Sequence, residues 1–247
     1  MRLGPLSPKK DVFAPEFHGL RSHALVGTQN LSGVEALTMQ DFAPGLRESS
    51  VWMAAITAMI LIGMPPARAQ APTGAAAQIQ SYYQELMPTI QQAGRLSVRE
   101  RDRRFTPVLN ATFDFATMAR LAVGPTWTTF SPAQQTAVRD AFARFIVADY
   151  ASQISNYSGE SFVVDPRTTP ETRGGGEIVK TKLLQPGGRS VSINYLVRGG
   201  RVIDVYLNGT ISDLATRRDE FASIIASGGA DGLIKRLHDR TEALLAR

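Results

Sequence analysis

Residues able to act as acids, bases or metal ligands are few in this chain of 247 residues. It has no cysteine, which excludes thiolate catalysis, disulfides and cysteine-based metal sites. Histidine occurs only as His18, His23 and His238, and the charged neighbours of His238 favour a solvated helix face over a metal site. The run Gly174-Gly175-Gly176 is not followed by Lys-Ser or Lys-Thr, so it predicts a turn rather than a phosphate-binding loop. We therefore predict neither a metal nor a cofactor.

Asp204 is the strongest candidate for a catalytic group, because it interrupts the apolar segment 202–207. A carboxylate among apolar neighbours can have a raised pKa and act as a base. With Tyr195 or Tyr206 as its partner, Asp204 would suit a small cone-shaped isomerase or hydrolase. The alternative, which we favour, is a structural ion pair with one of three nearby cations: Arg201, Arg189 or Lys182. We therefore predict a protein that is not an enzyme.

Large aromatic side chains are more informative than any polar constellation. Large rings that pack together leave gaps that aliphatic side chains fill more closely, so a set of them can line a cavity. The set comprises Tyr82, Tyr83, Phe105, Phe113, Phe115, Trp127, Phe142, Phe145, Tyr150, Tyr157, Tyr195, Tyr206 and Phe221. We expect most of these rings in the core, and collectively they indicate an apolar pocket.

A short apolar segment predicts export. Residues 51–63 carry no charge, and Ala67-Arg68-Ala69 follows with the small residues that a signal peptidase requires. At about 1.5 Å per residue this segment is too short for a hydrocarbon layer of about 30 Å, so cleavage is favoured over a retained anchor. We predict a signal peptide at 50–69 and a single soluble periplasmic domain at 70–247. Residues 1–49 are predicted to be a disordered extension or to precede the true start.

Hydrophobic periodicity divides the mature domain into helices, then strands, then helices. The first helices are predicted at 75–93, from the capping residue Ser97 to near Pro107, at 113–125 and from Ser131 to about Ser155. Strands are predicted at 161–165, 177–184, 189–198 and 202–207. The last two helices are predicted at 213–227 and 231–246, separated at Gly228-Gly229.

This order predicts an α+β fold in which helices cover a four-stranded curved antiparallel sheet. A curved sheet under a helical layer forms a cone with an apolar interior. The residues that the two periods turn toward this interior are Phe142, Phe145, Ile146, Tyr150, Val191, Ile193, Tyr195, Val205, Leu207 and Phe221.

Two blocks of spaced motifs resemble a known family. The first comprises Asp114-Phe115, the run 118–127, 131–135, Phe142-x-x-Phe145, Tyr150 and 157–160. The second comprises 202–212, 217–221 and 228–234. In this order they resemble the MlaC family of periplasmic lipid shuttles, also called toluene-tolerance auxiliary components of ABC transporters. Two segments, 121–125 and 209–212, are closer to the branch encoded with hopanoid-biosynthesis proteins.

The resemblance implies a carrier that holds a phospholipid or a hopanoid-type lipid in its apolar pocket. It would pass this lipid between an outer-membrane lipoprotein complex and an inner-membrane ABC transporter complex. The ten interior residues are the predicted lipid contacts. Arg217 and Arg218 are predicted to dock on acidic partner surfaces, the alternative being a solvated helix face. A scaffold that bridges membrane complexes also stays open, whereas a net charge of +5 does not indicate a nucleic-acid partner.

Overall fold

The computed structural model describes residues 74–247. The predicted extension at 1–49, the signal peptide at 50–69 and the start of the mature chain at Gln70 lie outside the described residues. Those assignments therefore stay predictions.

Five α-helices lie in the described part of the chain. They are α1 Gly74–Gln91, α2 Val98–Thr112, α3 Phe115–Val123, α4 Pro132–Gln153 and α5 Asp213–Leu245, with short 3-10 helices at Ala93–Arg95 and Gly124–Thr129. The predicted helix starts at Ser97 and Ser131 are confirmed, and each serine closes a capping box with the residue three positions later. Pro132 takes the first position of α4, where its missing N–H costs nothing.

The prediction that Pro107 limits the second helix is wrong, because α2 continues through it to Thr112. Proline removes one intrahelical hydrogen bond, here to the carbonyl of Arg103. Both Pro107 and Arg103 are exposed, so water can solvate that carbonyl. Burial of Phe105 and Leu109 on the opposite side stabilises α2 across the proline.

The predicted break between the last two helices is present as a kink within α5. Gly229 has φ 62° and ψ −158°, a combination that is essentially restricted to glycine. The chain thus changes direction there without a loop, and Leu233 and Leu237 after the kink are buried like Phe221 before it.

The strands form one antiparallel sheet in the order β1-β2-β3-β4-β5. Their bounds are β1 Ser161–Pro170, β2 Glu177–Leu184, β3 Ser190–Arg198, β4 Arg201–Leu207 and β5 Ile211–Ser212. The α+β prediction is confirmed, with five strands in place of four. The added strand β5 has only two residues, which is too short for a hydropathy period, and a register shift between Val164 and Thr168 hides the second half of β1.

The hydrophobic core lies between one face of the sheet and the helices. Inward-facing residues of β2 and β3, such as Val179 and Ile193, share this core with Ile79 of α1 and Phe142 of α4. The outer face of β2 carries Lys180 and Lys182, which are exposed. At β2 the fold therefore directs one face of the meander toward the helices and the other toward solvent.

Candidate functional site

The ten residues predicted to face the interior all belong to, or pack against, one buried core. Seven of them are buried: Phe142, Phe145, Ile146, Ile193, Tyr195, Val205 and Phe221. The other three, Tyr150, Val191 and Leu207, are half-buried and pack against the same core. Their inward placement agrees with both periods, whereas their contact with a lipid stays a prediction.

Aromatic rings run continuously through this core from the sheet to α5. The centroid distances are 6.0 Å for Tyr195–Tyr82, 5.6 Å for Tyr82–Phe113, 5.8 Å for Phe113–Phe115, 6.5 Å for Phe115–Phe142 and 6.2 Å for Phe142–Phe221. Most of these contacts are edge-to-face, which suits the ring quadrupoles. The interior is thus an aromatic surface assembled from β3 and four helices.

A chain of hydroxyls lies at the sheet end of this aromatic surface. The Tyr83 hydroxyl lies 2.8 Å from the Tyr195 hydroxyl and 3.0 Å from Thr181 Oγ1. Thr181 donates its single hydroxyl proton to the carbonyl of Ile193. Thr181 must therefore accept from Tyr83, and Tyr83 must in turn accept from Tyr195. The direction of every proton in this chain is fixed by the Ile193 carbonyl.

The tyrosines of this cluster are neutral donors near pH 7. Burial raises the pKa of Tyr83 to about 12, and the hydrogen bond that Tyr83 accepts from Tyr195 opposes this rise. Burial, with smaller contributions from neighbouring groups, also raises the pKa of Tyr82, Tyr150 and Tyr195 well above the usual value of 10.0. These hydroxyls therefore form hydrogen bonds without carrying a charge.

Asp204 lies on the other face of the sheet from Tyr195. In the β3–β4 register Tyr195 pairs with Val205, whereas Asp204 pairs with Leu196, and successive side chains of a strand point to opposite faces. The two residues therefore do not form the catalytic pair that the sequence left open. Tyr206 shares the face of Asp204 and is half-buried.

The carboxylate of Asp204 stabilises the start of α5. It accepts hydrogen bonds from Ser212 Oγ at 2.6 Å, from Val205 N at 2.8 Å and from Leu214 N at 3.3 Å. Burial raises the pKa of Asp204, and these three hydrogen bonds lower it. Arg201, a predicted ionic partner, instead donates to the backbone carbonyls of Asn110 and Phe113. The structural interpretation of Asp204 is supported, but through backbone and hydroxyl donors.

The sequence predicted that Arg217 either docks on a partner or lies on a solvated helix face, and both interpretations require an exposed side chain, which Arg217 does not have. Its guanidinium side chain is 11% exposed and forms ion pairs with Asp149 at 2.9 Å and with Asp213 at 2.8 Å. These two carboxylates raise the pKa of Arg217 against the opposing effect of burial. The guanidinium also lies 5.1 Å from the centroid of the Phe145 ring. Arg217 therefore joins α5 to α4.

Arg218 is exposed, as expected. Its Nε and one terminal nitrogen donate to the carbonyl of Leu121 at 3.0 and 2.7 Å. The guanidinium thus packs over the C-terminal end of α3 and remains accessible to solvent. Of the two arginines, only Arg218 is placed where a partner could reach it.

Sequence reasoning missed the polar part of this core. Thr181 is 2% exposed in the middle of β2, and Phe162 stacks on Tyr83 with centroids 4.0 Å apart. The available signal was the alternation of β2, which places Thr181 on the same face as Val179 and Leu183. A threonine on an otherwise apolar face indicates a hydrogen-bonding partner, which is Tyr83.

Two kinds of feature are absent from residues 74–247. No group of three or more His, Asp or Glu side chains there is arranged to hold a metal ion, and His238 is exposed on α5. In the same range no helix is both long enough and apolar enough to span a membrane.

The protein is of the α+β class. Its helices pack on one face of an antiparallel meander and enclose a continuous aromatic interior. A family model described as MlaC protein matches residues 80–239, so the chain belongs to the MlaC family. No curated protein matches the chain.

Among solved structures, the chain is similar to a phospholipid-binding protein from Ralstonia solanacearum, determined in complex with a phospholipid. The TM-score is 0.61 at 20% sequence identity, and the match covers 71% of this chain and 100% of that chain. At this identity the match shows a shared fold.

Proposed function

We propose that this protein is a lipid carrier that holds the acyl chains of a phospholipid or a hopanoid-type lipid between its sheet and its helices. The observation that carries the proposal is the aromatic interior between the sheet and helices in a chain of the MlaC family. The solved relative of the same fold supports it, because that protein was determined with a phospholipid bound.

The core residues are suited to acyl chains rather than to a reaction. Tails that leave water gain about 25 cal/mol for each Å² of apolar surface that they bury, and aromatic and aliphatic side chains of α4, β3 and β4 supply that surface. Asp204 is engaged by three donors and faces away from Tyr195. The geometry therefore favours a carrier over the isomerase or hydrolase that the sequence left open.

The proposal places the carrier in the periplasm, between an outer-membrane complex and an inner-membrane ABC transporter complex. The apolar segment 51–63 and Ala67-Arg68-Ala69 support export. N-terminal sequencing of the exported protein should begin at Gln70, and a membrane-bound species beginning at Met1 or Met39 would contradict this location.

Docking on an acidic partner is assigned to Arg218, because Arg217 is engaged in ion pairs within the protein. We expect Arg218→Glu to leave the lipid content unchanged and to slow transfer to the transporter complex, more strongly at low salt. Arg167→Glu, which changes an exposed arginine of β1, is the matched control. Equal transfer by both variants would remove Arg218 from the docking surface.

The carrier function is tested by extracting purified protein with organic solvent and identifying the extract by mass spectrometry. A carrier should retain close to one equivalent of lipid through purification, and the extract identifies it as phospholipid or hopanoid. Protein without lipid that also takes up none from vesicles would contradict the proposal.

A further inference from the structure

Three tyrosines of the core, Tyr82 and Tyr195, which are buried, and Tyr150, which is half-buried, have hydrogen-bonding capacity that the protein does not use. Among residues 74–247, the hydroxyls of Tyr82 and Tyr150 have no hydrogen-bond partner, although Tyr82 is only 4% exposed. Tyr195 donates its hydroxyl proton to Tyr83, so its oxygen can still accept a hydrogen bond. The hydroxyl oxygens of Tyr82 and Tyr150 are not sealed inside the protein, because the fully buried side-chain atoms without a partner in this range are Arg101 Nε and Asp102 Oδ1. A small polar group of a ligand can therefore reach both hydroxyls.

The rings that carry these hydroxyls belong to one cluster. The ring of Tyr82 lies 6.0 Å from that of Tyr195 by centroid, and Tyr82 and Tyr150 both pack on Phe113 at 5.6 and 6.2 Å. Apolar residues of the same core, among them Ile193 and Val205, surround the cluster.

We infer that Tyr82, Tyr150 and Tyr195 form a hydrogen-bonding site, inside the proposed lipid-binding core, for a neutral oxygen of the bound lipid. The inference rests on the proposed carrier function. Two donors and one acceptor suit an ester carbonyl, which accepts from Tyr82 and Tyr150, or a hydroxyl, which also donates to Tyr195. The site would fix the depth of the lipid, whereas the apolar core supplies affinity without regard to position.

The test compares lipid pairs that differ only in this oxygen. Purified protein is exchanged with vesicles that contain equal amounts of diester and diether phosphatidylglycerol of the same chain length. A second exchange uses diether phosphatidylcholine vesicles that carry equal amounts of diplopterol, which has one hydroxyl, and diploptene, which has none. Bound lipid is quantified by mass spectrometry after the protein is re-isolated. In one of the two pairs we expect the protein to bind the lipid with the additional oxygen, the diester lipid or diplopterol, about fivefold more than its counterpart.

Tyr82→Phe and Tyr150→Phe should each reduce this preference toward one, and Tyr206→Phe, on the other face of the sheet, should preserve it. Because the Tyr82 hydroxyl is unpartnered without ligand, Tyr82→Phe should unfold at the same or a higher urea concentration than the parent when both are free of lipid. Preference in the first pair assigns an ester carbonyl, and preference in the second assigns a hydroxyl.

Lipid uptake without preference in either pair, as expected if the hydroxyls only hold water, would overturn the inference and leave the carrier function intact. A preference that both phenylalanine variants retain would also overturn it. Failure to take up any of the four lipids would contradict the proposed function itself.

Discussion

At the scale of single residues, the polar side chains near the core stabilise the elements that they join. Asp204 accepts from Val205 N and from Leu214 N, and the latter lies in the first turn of α5, where N–H groups have no partner within the helix. A carboxylate can satisfy several donors at a helix start at once, which explains an acidic residue in an apolar strand. Its role is therefore to join β4 to α5.

We expect Asp204→Ala to lower the free energy of unfolding by about 1–3 kcal/mol, because the donors lose their acceptor. Asp204→Asn keeps an acceptor oxygen and should lose less. Urea denaturation of the two variants measures the difference, and the lipid content of folded Asp204→Asn protein should match the parent. An unaltered unfolding midpoint for Asp204→Ala would show that these hydrogen bonds do not stabilise α5.

The tyrosine cluster should make the fold sensitive to alkaline pH. Burial raises the pKa of Tyr83 to about 12, against 10.0 as its ordinary value. Its contribution to stability is therefore complete below pH 10 and is lost as the pH rises through about 12. The stability advantage of the parent over Tyr83→Phe should shrink between pH 8 and pH 11 in urea titrations. A constant difference across that range would contradict the burial of this hydroxyl.

At the scale of elements, a buried ion network positions α5 against α4. Arg217 bridges Asp149 of α4 and Asp213 at the start of α5, and its guanidinium packs on Phe145. Next to it, Arg240 pairs with Glu220 across the kink at Gly229. The position of α5 determines where Phe221 enters the core, so the network is part of the support of the proposed lipid site.

Arg217→Met should lower the free energy of unfolding by about 3–5 kcal/mol, because it leaves two largely buried carboxylates without their cation. Arg218→Met, at the next position but exposed, should cost no more than about 1 kcal/mol. Thermal or urea denaturation separates the two variants. Equal losses would mean that the network around Arg217 contributes little to the contact between α4 and α5.

The sequence predicted elements wherever a period or a cap was strong, as at Ser97, Ser131 and the 161–207 strands. It missed the continuation of α2 beyond Pro107, because exposure of the affected carbonyl depends on which side of the helix packs. The sequence predicted an exposed Arg217, because neighbouring charges are typical of a solvated helix face. Arg217 is instead held by ion pairs. Its ionic partners Asp149 and Asp213 lie 68 and 4 positions away, and only the packing of α5 on α4 brings them together.

At the scale of the whole molecule, the described domain has a single aromatic interior, which lies against one face of the meander. To carry a lipid, the side chains of this interior must lose contacts with one another and form contacts with acyl chains. The ring contacts from Tyr195 to Phe221 involve the sheet, the loop before α3, and the helices α1, α3, α4 and α5. A ligand there would therefore touch nearly every layer. We therefore expect bound lipid to raise the unfolding temperature of the entire domain.

The proposed lipid site places acyl chains on the inward face of β3, and a paired substitution on this strand tests that placement. Ile193 is 7% exposed and faces the core, whereas its neighbour Ser192 points to the other face. Ile193→Asp buries an unpaired carboxylate among the proposed tail contacts, at a cost of several kcal/mol. Ile193→Asn is the milder substitution if the aspartate variant does not fold, and Ser192→Asp is the control.

The measurement is the amount of lipid bound per protein molecule, by native mass spectrometry, in variants that circular dichroism shows to be folded. We predict close to one lipid for the parent and for Ser192→Asp, and a loss of at least about tenfold for Ile193→Asp or Ile193→Asn. Folded Ile193 variants that carry as much lipid as the parent would contradict the assignment of the lipid to this core.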